Sequence, residues 1–524
     1  MKPIWSALLL LAMLAASCSV GHTSTTQLVY GLTLAPSGID PHLNASSELT
    51  IPLTSVYDTL IYQDPQSGAF VPGLAERWTI SEDGLLYTFY LRHDVHFHDG
   101  TAFDAEAVKI NFDRILDPDN HSQKAVFMLG PVAETEVVDK YTFALHLTQP
   151  YAPLLDSLAQ AYLGMASPAA LAEWGTTEYQ FHQVGTGPYR FIEYVPNDHL
   201  TLERNAEYAW APSIYESDRA QIESISFRIY EDPATRALAL ESGEVDVIGE
   251  VPPRDAESLA SSGKFRIYPV AVPGQPMQFF FNTRNPPTDD VLVRRALVLA
   301  VNRPFIVSTV FGPLSPVAQG PLSASTFGFA PQYPWPSANQ EEAVALLEQA
   351  GWTDSDGNGQ RNRYGLPLQL LIVVPTWGSS KDVAQLVAAA WEEVGADVSI
   401  EVAPAFGALK EAQAAGEYNA IAINFFGTDP DLLQAFYASN GLYNWTGYSD
   451  PQIDDLLTRG AAESLDAQRR LDIYAQITAL VREQALLLPI RDYVNLNVAN
   501  SKVEDLRFSY QGWAPLLFDL KLAP

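Results

Sequence analysis

Apolar and polar positions change period along this chain, and each change marks an element. Residues 27–32 place Leu28, Val29 and Tyr30 ahead of turn-forming residues, the pattern of a strand. Over 76–98, Trp78 and Ile80 precede Ser81-Glu82-Asp83-Gly84, after which Tyr87, Phe89 and Leu91 alternate with Leu86, Thr88 and Tyr90. That pattern predicts a hairpin closed at Asp83-Gly84. From Asp104 to Leu116 the period lengthens. Ala107, Val108, Asn111, Phe112 and Ile115 fall on one helical face, with Asp104 as cap and Pro118 as stop. Residues 135–147 return to a β-rich composition.

The second half alternates strands with amphipathic helices. Val293, Ala296, Leu297 and Ala300 form one stripe of a helix over 290–301. Asn339 and Glu342 have capping-box spacing, and Gly351 ends the helix they open. A strand over 368–374 leads into a helix carrying Val383, Leu386, Val387, Ala390, Trp391 and Val394, closed by Gly395, and a strand over 398–402 follows. This βαβ rhythm implies a parallel sheet covered by helices. Residues 420–425 are a further strand and 466–485 a long terminal helix.

At 524 residues the chain exceeds what one hydrophobic core organises, so two or three lobes are expected. With 47% hydrophobic and 18% charged residues it should fold rather than stay extended. Its 62 acidic residues against 31 basic ones give a net charge of −31, which repels phosphate backbones and excludes nucleic acid as a natural partner. Lys2 and the apolar run 8–16 form a signal-peptide pattern too short to span a bilayer. It ends in Ala15-Ala16-Ser17-Cys18, which resembles a bacterial lipobox, with Leu14 one place out of the usual register. Residues 1–18 are therefore expected to be a lipoprotein signal with Cys18 as the lipidated residue, and 19–26 a tether. Cys18 is the only cysteine, so no intrachain disulfide, Cys-based zinc cluster or CxxC pair is available.

Catalytic motifs are missing. There is no P-loop, dinucleotide fingerprint, HExxH or GxSxG, and Gly185-Thr186-Gly187-Pro188 places proline where a phosphate-cradling helix would start. His96 and His98 would share a strand face beside His93, but spacing fixes no third ligand, so no metal site is expected. Asp354-Ser355-Asp356-Gly357-Asn358-Gly359 imitates an EF-hand start, yet Gly365 stands where the bidentate Glu belongs, and an Asx turn is expected instead.

Several runs together carry a resemblance. Gly73-Leu74-Ala75-Glu76-Arg77-Trp78, Ser81-Glu82-Asp83-Gly84, Tyr87-Thr88-Phe89-Tyr90-Leu91-Arg92 and Phe97-His98-Asp99-Gly100 are followed by Gly185-Thr186-Gly187-Pro188-Tyr189, Arg294-Arg295-Ala296-Leu297, Ala350-Gly351-Trp352, Asp429-Pro430-Asp431 and Tyr448-Ser449-Asp450-Pro451. In this order they resemble the family 5 solute-binding proteins, which serve dipeptide, oligopeptide and nickel ABC importers. The resemblance implies an α/β, periplasmic-binding-protein-like fold: two α/β lobes joined by a hinge, plus an extra β-rich lobe. The first lobe would comprise 24–62, 184–272 and 488–524, the extra lobe 63–183, and the opposing ligand lobe 273–487. It further implies a monomer without cofactor or catalytic residue, anchored outside the cytoplasm, in the periplasm or on the outer face of the cell membrane. Such a protein captures a peptide or similar small polar solute between the lobes and delivers it to permease subunits. A secreted hydrolase on an α/β scaffold, or a receptor or chaperone uncoupled from transport, are the alternatives.

Family peptide binders hold a zwitterion by its ends. Phe426 stands where they place an Asp, and Val374 where dipeptide binders place an Arg. The nickel branch has an arginine near Leu163 and a histidine before the terminal helices; residues 160–166 contain no Arg and 432–465 no His. The segments bordering the cleft in the family supply Phe280, Trp377, Phe426, Tyr443 and Trp445 as candidate aromatic walls, and Gln278, Thr376, Asp429 and Asn444 as candidate polar contacts.

Overall fold

The computed structural model describes residues 26–523. Cys18 lies outside the described residues. A seven-stranded sheet runs in the order Phe265–Ala271, Val494–Asn500, Val247–Ile248, Gln27–Leu32, Ser224–Ile229, His199–Arg204, Tyr189–Val195. Gln27–Leu32 is parallel to Ser224–Ile229 from the pairing of Gln27 with Ser224 onward. A five-stranded sheet runs Asp397–Ala403, Gln369–Pro375, Ala420–Phe426, Gly274–Phe281, Leu487–Arg491. Its fourth strand, Gly274–Phe281, lies between Ala420–Phe426 and Leu487–Arg491 and is buried at every position. A four-stranded antiparallel sheet forms from Ala75–Ile80, Leu86–Leu91, Thr142–Leu147 and Val132–Asp139. Its hydrophobic face joins the core of the seven-stranded sheet, whereas the five-stranded sheet has a core of its own.

Local chemistry places the elements where the periodicity predicts them. Asp104, Asp290, Asn339 and Asp466 each cap a helix by accepting a backbone N–H, from Ala107, Leu292, Glu342 and Arg469 respectively. Gln369–Pro375, helix Ser380–Glu392 and Asp397–Ala403 form a βαβ unit whose strands pair in parallel from Gln369 with Asp397. Trp391 on that helix is fully buried, and its Nε1 donates to the Leu297 carbonyl at 2.9 Å, pinning the helix layer to Val291–Ala300. The EF-hand-like run closes on itself: Asp354 accepts the N–H groups of Gly357, Asn358 and Gly359.

The family runs meet in space for a packing reason. The backbones of Gly185 and Gly187 press on Val56, where a Cβ would come within 2.1 Å and 2.7 Å of its carbonyl oxygen. His98 bonds the Gly187 carbonyl through Nε2 at 2.9 Å and accepts the Gly185 N–H at Nδ1. Burial lowers the His98 pKa to about 4, so it works as a neutral clamp. Thr186 then reaches Asp58, which also accepts from Tyr62, Tyr208 and Trp210 at 2.6 to 3.0 Å.

The chain passes between the seven- and five-stranded sheets at two adjacent places, through Val272-Pro273 and through Asp492-Tyr493. The Val272 N–H donates to the Tyr493 carbonyl at 3.0 Å, tying the two crossings together. Gly274, just past the first, has φ +136° and would place a Cβ 2.2 Å from the Phe425 carbonyl. Gly274→Ala should therefore destabilise the protein by about 1–3 kcal/mol, read as a lower midpoint in thermal and urea melts. An unchanged midpoint would mean that the crossing yields without cost.

Candidate functional site: a cavity between the sheets

A cavity of about 140 Å³ lies beside the paired crossing. Its wall is assembled from 47–63, Lys124, 159–162, Ile214, Val272-Pro273, Phe426–Thr428 at the end of a strand of the five-stranded sheet, and the C-terminal loop from Ser509 to Leu516. Tyr57, Tyr62, Tyr162, Phe426 and Trp513 supply aromatic surface. Phe426 is 47% exposed and meets Tyr493 edge-on at 4.8 Å and Trp513 at 5.9 Å. Tyr57 is held from behind, its hydroxyl bonding Tyr179 at 2.8 Å and Gln183 at 2.9 Å. Four polar atoms of wall residues have no partner among the described residues: Gln63 Oε1, Thr428 Oγ1, Ser509 Oγ and Trp513 Nε1. Unpaired buried polar atoms are costly, so they mark where a polar ligand gains most. Lys124 is the one charged residue of the wall among the described residues, with Nζ 3.9 Å above the Tyr162 ring.

Of the nine residues singled out from the sequence, Phe426 lines this cavity and the others lie elsewhere. Phe280, Tyr443 and Trp445 join Phe425 and Phe436 in an aromatic cluster, with Phe280 and Trp445 fully buried 5.5 Å apart. Gln278 is fully buried on Gly274–Phe281 with neither amide atom partnered. Asn444 closes a loop by donating to the carbonyls of Ala438 and Tyr448. Asp429 accepts the Asp431 N–H and pairs through both oxygens with Arg470 at 2.7 Å. Thr376 and Trp377 are exposed beyond the end of Gln369–Pro375. The wall residues that sequence reading missed carry no motif. Trp513 alone had a legible sign, the turn-like run Ser509-Tyr510-Gln511-Gly512-Trp513 with an aromatic on either side of its glycine.

Behind the wall, carboxylates crowd one guanidinium. Asp156 bonds Gln160, a wall residue, at 3.0 Å, and its pKa is raised to about 7, first by burial and then by the charge of Asp429. Asp431 is raised to about 7 for the same two reasons. This cluster bridges the two large cores: Asp156 lies on Leu154–Leu158, and Ala152 nearby donates its N–H to the Ala461 carbonyl at 2.7 Å.

Two sheets joined by short paired crossings, with an aromatic cavity at the junction, define a two-lobed solute receptor. Residues 69–447 match the family model described as bacterial extracellular solute-binding proteins, family 5 Middle, and the chain belongs to that family. It is 30% identical to the glutathione-binding protein GsiB of Escherichia coli O1:K1 / APEC over 435 residues, 80% of this chain and 79% of that protein. It is 28% identical to the nickel-binding periplasmic protein of Escherichia coli (strain K12) over 523 residues, 94% of each. NikA from Brucella suis, solved in complex with Fe(III)-EDTA, superposes with a TM-score of 0.83 at 26% identity, covering 95% of this chain and 99% of that one. The protein is thus an extracytoplasmic solute-binding component of an ABC importer, a reading favoured over a secreted hydrolase.

Because the folded state raises the Asp156 pKa, its protonated form stabilises the fold below the ordinary carboxylate range, and that contribution is lost as pH rises through about 7. Asp156→Asn keeps an acceptor for Gln160 and removes the ionisation. The variant should melt a few degrees above the parent at pH 8, with the gap closing at pH 4. A gap that is constant with pH would show that Asp156 does not titrate as described.

Proposed function

We propose that this protein captures a peptide, or a similar small polar solute, in the cavity beside the paired crossing and delivers it to the permease subunits as a monomer, with no catalytic step. The observation that carries the reading is the wall itself: aromatic surface from both sides of the junction, with unpartnered polar atoms among it. Aromatic faces suit side chains, and isolated donors and acceptors suit amide groups. Among the relatives, one is named for glutathione, itself a peptide, and another for nickel. The histidines here favour the peptide: His98 is occupied by Gly185 and Gly187, His93 stacks on Tyr141, and no three His, Cys, Asp or Glu residues gather as metal ligands among the described residues.

In this proposal 24–62, 184–272 and 488–524 move as one lobe carrying 63–183 as the extra lobe, and 273–487 closes against them. Phe426 is the ligand contact on the closing side. Gln369–Pro375 runs parallel to Ala420–Phe426, so Thr376 and Trp377 follow a strand end on the same edge of the sheet as Phe426. They are placed to meet the outer part of a larger solute. Lipid on Cys18 would hold the protein at the membrane surface; among the described residues no helix is long and apolar enough to cross a membrane.

A solute touching both sides binds the closed form better and shifts the population toward it. Small-angle scattering should give a smaller radius of gyration at saturating, verified occupancy, and an unchanged radius would count against a hinged receptor. For the anchor, Cys18→Ala should move the protein from the membrane fraction to the soluble one. Retention in the membrane without acylation would refute the lipoprotein reading.

A further inference from the structure

The cavity inverts the charge of the molecule. The chain carries twice as many acidic as basic residues, yet no Asp or Glu lines the cavity among the described residues, and Lys124 does. Lys124 makes no ion pair among the described residues; its ammonium rests on the Tyr162 ring. The acid whose charge acts on it is Asp156, which accepts from Gln160 behind the wall. A partly buried ammonium with only a ring face beneath it gains a charge-assisted hydrogen bond when an anion arrives. An incoming ammonium finds no counter-charge on the wall among the described residues. Lys124 repels it, and no carboxylate lines the cavity among the described residues; of those behind the wall, Asp429 is paired with Arg470 and Asp156 accepts from Gln160.

Resting on the solute-capture reading above, we propose that Lys124 is an anion subsite and that the solute is a peptide-like carboxylic acid whose amine is blocked. The remaining wall matches such a molecule. Gln63 donates its Nε2 to the Gly68 carbonyl, which leaves Oε1 to accept an amide N–H, while Trp513 Nε1 is a donor for an amide carbonyl. Ser509 Oγ serves either role. Phe426 adds apolar surface, and the wall offers no acid to hold a free amine among the described residues. At about 140 Å³ the cavity takes roughly a benzene-sized group, so a side chain and the carboxylate fit within it, and the rest of the solute extends toward the rim.

Burial lowers the Lys124 pKa to about 8, so anion binding should hold at neutral pH and weaken as pH rises above that value. The test uses calorimetry on the full chain with N-acetylated dipeptides ending in Ala, Leu, Phe or Tyr, each as the free acid and as the C-terminal amide, beside the same dipeptides with free amines. The acids should bind about ten- to a hundredfold more tightly than their amides, and more tightly than the free-amine dipeptides. Lys124→Gln should collapse the acid preference while leaving amide affinity in place, which also reports an intact fold, and Lys124→Arg should retain it. The preference should fade above pH 8 in the parent protein only. Equal binding of acids and amides, or a preference that survives Lys124→Gln, would overturn the anion subsite and leave solute capture standing. Tightest binding by the free-amine series would overturn the blocked-amine assignment. No binding by any series would overturn the class, and the peptide reading with it.

Discussion

The two short crossings between the large sheets are the constraint on which the rest of the molecule depends. Phe265–Ala271 pairs with Val494–Asn500 on one side, and Gly274–Phe281 pairs with Leu487–Arg491 on the other, so the crossings continue two antiparallel ladders with a break of two residues. A break this short leaves few dihedrals to rotate, which confines relative motion to a hinge. The break is also well supported. Arg491 stacks over Phe311 at 3.8 Å, and Asp492, with its pKa raised to about 6 by burial, accepts the Ala324 N–H at 3.0 Å. Val272 and Pro273 also form part of the cavity wall, so the wall includes the crossing as well as both sides of the junction.

The Phe97–Gly100 and Gly185–Pro188 runs that carry the family resemblance lie outside the cavity wall and act as its scaffold. The Phe97-His98-Asp99-Gly100 turn and the Gly185-Thr186-Gly187-Pro188 loop clamp each other, and the loop clamps Val56. Thr186 and Asp58 then fix the segment from which Tyr57 and Tyr62 face the cavity. Asp40 and Arg114, paired at 2.6 Å and nearly buried, brace the same region from the helix Ala105–Leu116. This arrangement separates the clamp that holds the scaffold from the side chains that line the cavity. A wall side chain can change its chemistry while the clamp, whose partners are backbone groups and buried hydroxyls, keeps its geometry. Relatives named for ligands as unlike as glutathione and nickel are consistent with such a division.

Local elements were legible in the sequence because their causes are local. A capping side chain and its N–H partner lie within three residues of each other, as at Asp104, Asp290, Asn339 and Asp466, and the hairpin turn at Asp83-Gly84 is a four-residue affair. The βαβ unit through Trp391 was legible for the same reason: strand and helix periods differ within a short window. Composition and the ordered family runs then determined the class of protein, since the runs encode contacts that only this scaffold brings together.

The cavity wall was decided by the tertiary structure. Phe280, Trp445 and Phe426 are equally apolar in sequence, yet the first two close an aromatic core and the third faces a cavity, because each one's exposure depends on what distant segments place against it. Asp429 belongs to a family run and looked available, but Arg470, far along the chain, occupies both its oxygens. Lys124 and Trp513 belong to no motif and are remote from each other in sequence; they share a wall because the four-stranded region and the C-terminal loop both fold back onto the paired crossing. Periodicity reports which face of an element is apolar. It does not report which other element will cover that face, and a binding site is the place where the covering is incomplete.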